Sequence, residues 1–147
     1  MNAEKNIAKV ETIIKAPASI VWEALTDPKK IKQYMFGSKV ITNWKEGGQI
    51  IWKGEYQGKE YEDKGIIVQL KPHEVFQFTH FSKSLDQADI PDNYHLVTIE
   101  LNVKDGGTVV TLSQTNNPNT AAGDHARKNW SLMLAGLKKV VEEDGTN

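Results

Sequence analysis

Apolar and polar residues alternate along most of the chain, and this pattern predicts β-strands. Residues 8–16 follow the two-residue period of a strand with one buried face. The same period returns after Gly37 and continues to Gln114, interrupted by turn sequences rich in glycine and proline. The turns divide this region into six further strands, at residues 38–44, 49–56, 60–70, 75–81, 94–103 and 108–114. Because these strands follow one another through short connections, they are expected to be antiparallel.

A period of three to four residues predicts helices at two places along the chain. After the first strand, Pro17 suits the first turn of one short helix, and Asp27 with Pro28 can cap and begin another. The C-terminal region predicts a helix of roughly 36 Å, over about residues 121–144. Its apolar residues share one face: Trp130, Met133, Leu134, Leu137, Val140 and Val141. This face can cover one side of the sheet, although Gly136 in its interior costs about 1 kcal/mol relative to alanine.

Composition narrows the class of protein. With 147 residues, of which 39% are hydrophobic and 25% charged, the chain is expected to form one globular domain over residues 1–147. The formal net charge is -1 and the charged residues are interspersed, which argues against a nucleic-acid partner. Because cysteine is absent, neither a disulfide scaffold nor a thiolate zinc site is expected.

Two further observations concern location in the cell. The first residues lack the apolar run of a signal peptide. No apolar segment approaches the roughly 18 residues that a membrane-spanning helix needs. We therefore expect a soluble, cytoplasmic protein without a membrane partner.

Three stretches of the sequence carry a resemblance: residues 14–34, residues 65–80, and the C-terminal helix with Trp130, Leu134 and Leu137. Together they resemble the SRPBCC superfamily of START-like, helix-grip proteins. More closely, they resemble the single-domain family related to the C-terminal domain of the activator of the ninety-kilodalton heat-shock chaperone ATPase. The resemblance implies an α+β fold, in which a seven-stranded antiparallel sheet curves around the long C-terminal helix. It also implies a cavity between helix and sheet, but no particular chemistry, because one fold serves many functions.

The residues that would line such a cavity are mostly aromatic or apolar. The expected ligand contacts are Tyr34, Phe36, Trp52, Tyr56, Tyr61, Phe76, Phe78, His80, Trp130, Met133, Leu134 and Leu137. Residues of these types also form ordinary packed cores, so the pattern fits both interpretations.

His80 offers the most chemistry among these candidates. It is in phase with Phe76 and Phe78, so it faces inward if they do. It could orient a ligand or move a proton, with Tyr61 or Tyr56 as its acid/base partner, or it could be a core histidine satisfied by a neighbour. The spacing of the four histidines predicts no metal site, and no cofactor is expected.

Three functions fit the sequence. The first is binding of a small, largely hydrophobic or aromatic molecule between the sheet and the C-terminal helix. The second is an enzyme of the cyclase or dehydratase kind, as among the polyketide-cyclase relatives that the resemblance implies. The third is a co-chaperone-like interaction module with a chaperone as partner. A polar segment with Asp86, Asp89 and Asp92 is expected to be a surface loop or a flap over the cavity mouth.

Overall fold

The computed structural model of the protein describes residues 7–82 and 87–144. The strands are β1 (Ala8–Ile14), β2 (Lys39–Thr42), β3 (Gln49–Tyr56), β4 (Lys59–Lys71), β5 (Val75–Ser82), β6 (His95–Lys104) and β7 (Gly107–Gln114). The α-helices are α1 (Ala18–Thr26), α2 (Pro28–Tyr34) and α3 (Thr120–Asp144), and a short 3-10 helix spans Pro91–Asn93. The α+β class and the order of strands and helices predicted from the sequence are both confirmed.

All seven strands form one antiparallel sheet in the order β1-β7-β6-β5-β4-β3-β2. Successive strands from β2 to β7 are neighbours, as their short connections require. The exception is β1, which pairs with β7 so that Ala8 lies opposite Gln114 and Ile14 lies opposite Thr108. Helix α3 packs most closely on β1 and on the two short helices. Side chains from the helix and from the sheet occupy most of the space between α3 and the central strands.

The core lies between the inner face of the sheet and the helices. In-phase residues of neighbouring strands form its sheet side: Ile50, Trp52, Ile67, Phe76, Phe78, Val97 and Ile99. Helix α3 contributes Met133, Leu134, Leu137 and Val141. Burial of these apolar side chains is the main favourable term in folding. No helix in the described part of the chain is both long and apolar enough to cross a membrane.

A bulge in β4 determines which of three consecutive apolar residues faces inward. The pairing of β4 with β5 shifts between Ile67 and Gln69. Ile67 is fully buried, whereas Ile66 and Val68 are each 43% exposed. The alternation of the sequence fitted either face at these residues, because a bulge changes the phase without changing the residue types.

β2 is shorter than predicted, since it ends at Thr42 rather than at residue 44. Trp44 has a φ of 56°, in the left-handed region, so the chain leaves the extended conformation there. The ring of Trp44 packs against Phe76, with the two ring centroids 6.0 Å apart. The change of direction thus adds an aromatic side chain to the core.

Gly136 in α3 lies against α2. A Cβ atom at Gly136 would be 3.1 Å from the Cβ of Tyr34 and 3.4 Å from its Cα. The distance to the Cβ of Tyr34 is shorter than the usual separation of carbon atoms in contact. The glycine therefore allows α2 and α3 to approach closely, which offsets its low helix propensity.

The described part of the acidic segment lies on the outer face of the sheet. Asp89 forms an ion pair with Lys64 and accepts a hydrogen bond of 2.6 Å from the hydroxyl of Tyr94. Tyr94 stacks on Phe81, with the ring centroids 4.9 Å apart. Because Phe81 follows the inward-facing His80, these contacts are on the side of the sheet opposite the core. Asp86 lies outside the described residues.

Candidate functional site

A small cavity lies between the inner face of the sheet, α2 and α3. Its volume is about 20 Å³. A cavity needs roughly 10–15 Å³ on this measure to hold one water molecule. The lining residues are Leu25, Ile31, Tyr34, Met35, Val40, Trp44, Ile50, Trp52, Phe76, Phe78, Ile99, Trp130 and Met133. The site is thus apolar and rich in aromatic rings, and its cavity has room for about one water molecule.

The structure brings half of the sequence-predicted contacts to this cavity. Six of them line it: Tyr34, Trp52, Phe76, Phe78, Trp130 and Met133. Leu134 and Leu137 are buried in the adjoining core on the same side of α3. The remaining four predicted contacts are Phe36, Tyr56, Tyr61 and His80.

Phe36 and Tyr56 are not part of the described cavity wall. Phe36 is 66% exposed, because its φ of 56° turns the chain between α2 and β2 and directs the side chain outward. The backbone of Tyr56 pairs with Lys59 at the end of the β3–β4 hairpin. The side chain of Tyr56 lies outside what the structure describes.

Tyr61 lies opposite Gly54, near the turn of the β3–β4 hairpin, and does not line the cavity. Its hydroxyl shares a hydrogen bond with the hydroxyl of Ser38 at the start of β2. Its ring lies across Gly54 on β3, where a Cβ atom would be only 2.5 Å from the tyrosine oxygen. The absence of a side chain at Gly54 therefore makes room for the ring.

Several lining residues escaped the sequence prediction. Ile50 and Ile99 could have been found, because each is in phase with a predicted contact on its own or a neighbouring strand. Trp44 carried no such signal, since its ring reaches the cavity only after the chain leaves the strand conformation. Leu25 and Met35 depend on how the short helices pack, which the alternation of residues does not specify.

Trp130 covers the cavity from α3. Its indole N–H donates a hydrogen bond of 2.7 Å to Oε1 of Gln114 at the end of β7. The Nε2 group of Gln114 in turn donates to Oδ1 of Asn117, at 2.8 Å. Gln114 and Asn117 are buried, whereas Trp130 is only half-buried. The indole hydrogen bond therefore joins the half-buried Trp130 to the buried polar pair of Gln114 and Asn117.

A polar pair, Asp63 and His80, lies beside the cavity on the same inner face. Asp63 is opposite Trp52 in the pairing of β3 with β4. The imidazole of His80 is 5.2 Å from the ring of Trp52, measured between centroids. The Nε2 atom of His80 is 3.0 Å from Oδ2 of Asp63. The side chain of His80 is only 21% exposed and that of Asp63 only 17%.

One polar atom of each residue in this pair lacks a partner among the described residues. These atoms are Oδ1 of Asp63 and Nδ1 of His80, and both are buried. Buried polar atoms are normally hydrogen-bonded, because leaving one unpaired costs about 1–3 kcal/mol. The pair is thus satisfied on one side only, next to an aromatic wall of the cavity.

A second histidine, His95, lies opposite His80 in the pairing of β5 with β6. The two imidazole rings stack with their centroids 6.5 Å apart. The Nδ1 atom of His95 is 3.0 Å from the carbonyl oxygen of Thr115. Burial lowers the pKa of His95, and the hydrogen bond to Thr115 only partly offsets this effect. Burial therefore favours the neutral form of His95.

The arrangement of a long helix across an antiparallel sheet, with a cavity between them, defines a helix-grip protein of the SRPBCC class. Residues 15–142 match the family described as "Activator of Hsp90 ATPase homolog 1-like protein". The chain belongs to this family.

Solved structures share this fold over nearly the whole chain. The solution structure of ChR145 from Cytophaga hutchinsonii is 47% identical over 100% of both chains, with a TM-score of 0.85. The Aha1 dimer from Colwellia psychrerythraea is 19% identical, over 92% of this chain and 96% of that one, with a TM-score of 0.73. CalU16 from Micromonospora echinospora is 17% identical, over 99% and 84%, with a TM-score of 0.72. Among proteins of curated function, none matches the chain.

Proposed function

We propose that the protein binds a small, largely hydrophobic or aromatic molecule between the sheet and α3. The observation that carries the proposal is the aromatic lining of the cavity, in which Trp44, Trp52, Phe76, Phe78 and Trp130 surround one space. Ligand sites are typically apolar clefts with a few polar groups at their edge, and the Asp63–His80 pair supplies such an edge. The family name alone does not assign a chaperone activity to this chain.

The cavity must enlarge for such a ligand to enter. Typical ligand pockets have volumes of roughly 300–1,000 Å³, far above the present 20 Å³. The element best suited to move is the part of α3 that carries Trp130, because one side-chain hydrogen bond holds it and its indole is partly exposed. On this proposal, the binding site opens by movement of this part of α3.

The test is a panel of apolar aromatic molecules, such as naphthalene and its methyl derivatives, measured by thermal unfolding and by isothermal titration calorimetry. A ligand at a hundred times its Kd is expected to stabilise the protein by about 2.7 kcal/mol. Met133→Trp should abolish binding because it fills the cavity. Leu132→Trp is the matched control, since Leu132 is the neighbouring residue of α3 and is 54% exposed. If no member of the panel binds, or if both variants bind as the wild type does, the proposal is wrong.

Proton transfer is a second candidate function, and the Asp63–His80 hydrogen bond favours it. A carboxylate that holds one nitrogen of a histidine leaves the other nitrogen oriented as a base. The probe is 2-acetylnaphthalene in D2O, and NMR follows the exchange of its methyl protons for deuterium. We expect the protein to speed this exchange above the rate in buffer, because Nδ1 of His80 accepts a methyl proton and the ketone becomes its enolate. His80→Phe should remove this acceleration and His73→Phe, at an exposed turn, should not. Exchange at the buffer rate with the wild type would contradict this candidate.

A further inference from the structure

The polar end of the inner face carries three hydrogen-bond acceptors on three neighbouring strands. They come from Asp63 on β4, His80 on β5 and His95 on β6. The three residues share the face of Trp52 and Phe78, which line the cavity. The polar group is therefore continuous with the aromatic wall of the proposed binding site.

The hydrogen-bond partners of the two histidines indicate which of their ring nitrogens accept. When Asp63 is ionised its carboxylate only accepts, so Nε2 of His80 carries the hydrogen of the bond between them, and Nδ1 of His80 is left as an acceptor when the ring is neutral. A carbonyl oxygen also only accepts, so Nδ1 of His95 carries the proton directed at Thr115. Nε2 of His95 is then an acceptor as well. With Oδ1 of Asp63, and with both imidazole rings neutral, these three side chains present acceptors and no free donor to the wall.

Two of these acceptors are buried without a partner among residues 7–82 and 87–144. A ligand that supplied a donor would remove the cost of leaving them unpaired. A ligand with a carboxylate or a second acceptor would meet them with repulsion and would leave its own group desolvated. The wall therefore favours ligands whose polar group donates a hydrogen bond over ligands whose polar group accepts one.

We propose that the natural ligand is an aromatic or alicyclic molecule bearing a hydroxyl or N–H group, which donates a hydrogen bond to Asp63 Oδ1 or His80 Nδ1. This inference rests on the proposed function and adds the chemistry of the polar end of the ligand. The apolar body of the ligand lies against Trp52 and Phe78, and its donor points along the inner face toward β4 and β5.

The first experiment compares ligands of equal size that differ in one group. The pairs are 2-naphthol with 2-methylnaphthalene for the hydroxyl, and indole with benzofuran for N–H, with 2-naphthoate as the anionic member. Calorimetry on the wild type should give about tenfold tighter binding for the donor of each pair, and the weakest binding for the naphthoate. If the members of both pairs bind equally, this inference fails while the proposed function stands. If none of the five binds, both fail.

The second experiment assigns the preference to the polar pair. In Asp63→Leu/His80→Phe both partners become apolar, which avoids an isolated buried charge and is expected to be tolerated by the fold. The preference for 2-naphthol should disappear in this variant. 2-Methylnaphthalene should bind to it at least as tightly as 2-naphthol does, because the hydroxyl of 2-naphthol would then be buried without a partner. The matched control is Gln69→Leu/Gln77→Leu, which removes a hydrogen-bonded pair from the outer face of the same two strands. A preference that survives in the first variant, or is lost in the control, would overturn the assignment.

Discussion

Tyr34 joins the short helices to the core through one buried hydroxyl. Its Oη donates a hydrogen bond of 2.8 Å to the carbonyl oxygen of Ala24 in α1. Burial, with a smaller contribution from the charge of Asp27, raises the pKa of Tyr34 far above its ordinary value. The folded protein therefore holds this residue neutral.

Tyr34→Phe is expected to lower the free energy of unfolding by about 1–2 kcal/mol at neutral pH, because the Ala24 carbonyl loses its donor. Tyr94→Phe, which removes a hydroxyl from the surface, is the control and should cost less. A raised pKa in the folded state contributes stability below the pKa of an unfolded tyrosine, about 10, and loses it at higher pH. The free energy of unfolding, measured in urea, should thus fall more steeply above pH 10 for the wild type than for Tyr34→Phe. Parallel curves would contradict this.

Two glycines in α3 should respond differently to alanine. At Gly123 the nearest atom to an added Cβ is the flexible end of Arg127 at 3.9 Å, so Gly123→Ala should gain about 0.5–1 kcal/mol from helix propensity. At Gly136 the added Cβ meets Tyr34 at 3.1 Å, so Gly136→Ala should gain less or lose stability. Urea unfolding of both variants measures the difference. An equal gain in both variants would contradict this, because it would show that α2 and α3 can move apart at Gly136 without a cost in stability.

The residues of the inner face could largely be predicted from the sequence, but their partners could not. The phase of Phe76, Phe78 and His80 follows from their spacing of two. Counting from the turn at Gln57 and Gly58 would also have placed Asp63 opposite Trp52. The approach of the Asp63 carboxylate to the His80 imidazole depends on the pairing of β4 with β5 across a bulge, which leaves no mark in residue types.

At the scale of elements, α3 is attached differently at its two ends. Near its C-terminus, Lys138 Nζ donates to the carbonyl of Ile13 at 2.6 Å, and Glu142 accepts from the backbone N–H of Lys15 at 2.9 Å. Lys138 also donates a hydrogen bond to the carboxylate of Glu142. This bond lowers the pKa of Glu142, and the bond from the N–H of Lys15 adds to the effect. Nearer its N-terminus, the side-chain bond from Trp130 to β7 is the attachment beside the cavity.

Trp130→Phe should therefore loosen one half of α3. We expect amide hydrogen exchange of residues 124–133 to accelerate about tenfold, while residues 137–143 keep their rates. Lys138→Met provides the reciprocal control, since it should affect the C-terminal half only. Equal acceleration along the whole helix in either variant would show that α3 opens as one unit, and that Trp130 does not control access to the cavity.

The type and order of the elements followed from the sequence, because periodicity and turn residues act locally. Their ends followed less well. β2 ends at Thr42, two residues before Trp44 takes a positive φ. β1 ends at Ile14, two residues before the predicted limit, because the chain turns back and the N–H of Ala16 donates to the carbonyl of Ile14. The volume between helix and sheet was also beyond prediction, since it depends on how large side chains from both sides interlock.

For the whole molecule, the sheet order separates local from distant pairings. Strands β2 to β7 pair with their neighbours in sequence, whereas β1 pairs only with β7. Pairing over such a separation pays the largest loop-closure entropy, so β1 is expected to join the sheet late in folding.

Ile14→Val in β1 and Ile99→Val in β6 test this order with one substitution at two buried positions. Each should cost about 1 kcal/mol of stability. Stopped-flow kinetics should show that Ile99→Val mainly slows refolding and that Ile14→Val mainly speeds unfolding. Slower refolding in Ile14→Val would place β1 in the early structure instead.

The position of β1 also matters during synthesis on the ribosome. β1 is translated before the other six strands, and about a hundred further residues must be added before its partner β7 is complete at Gln114. At roughly 5–20 residues per second, that interval lasts on the order of 5–20 seconds. Throughout it the nascent strand is open to pairing with other chains. Lys9 and Glu11, which alternate with its apolar residues, are suited to keep it from aggregating.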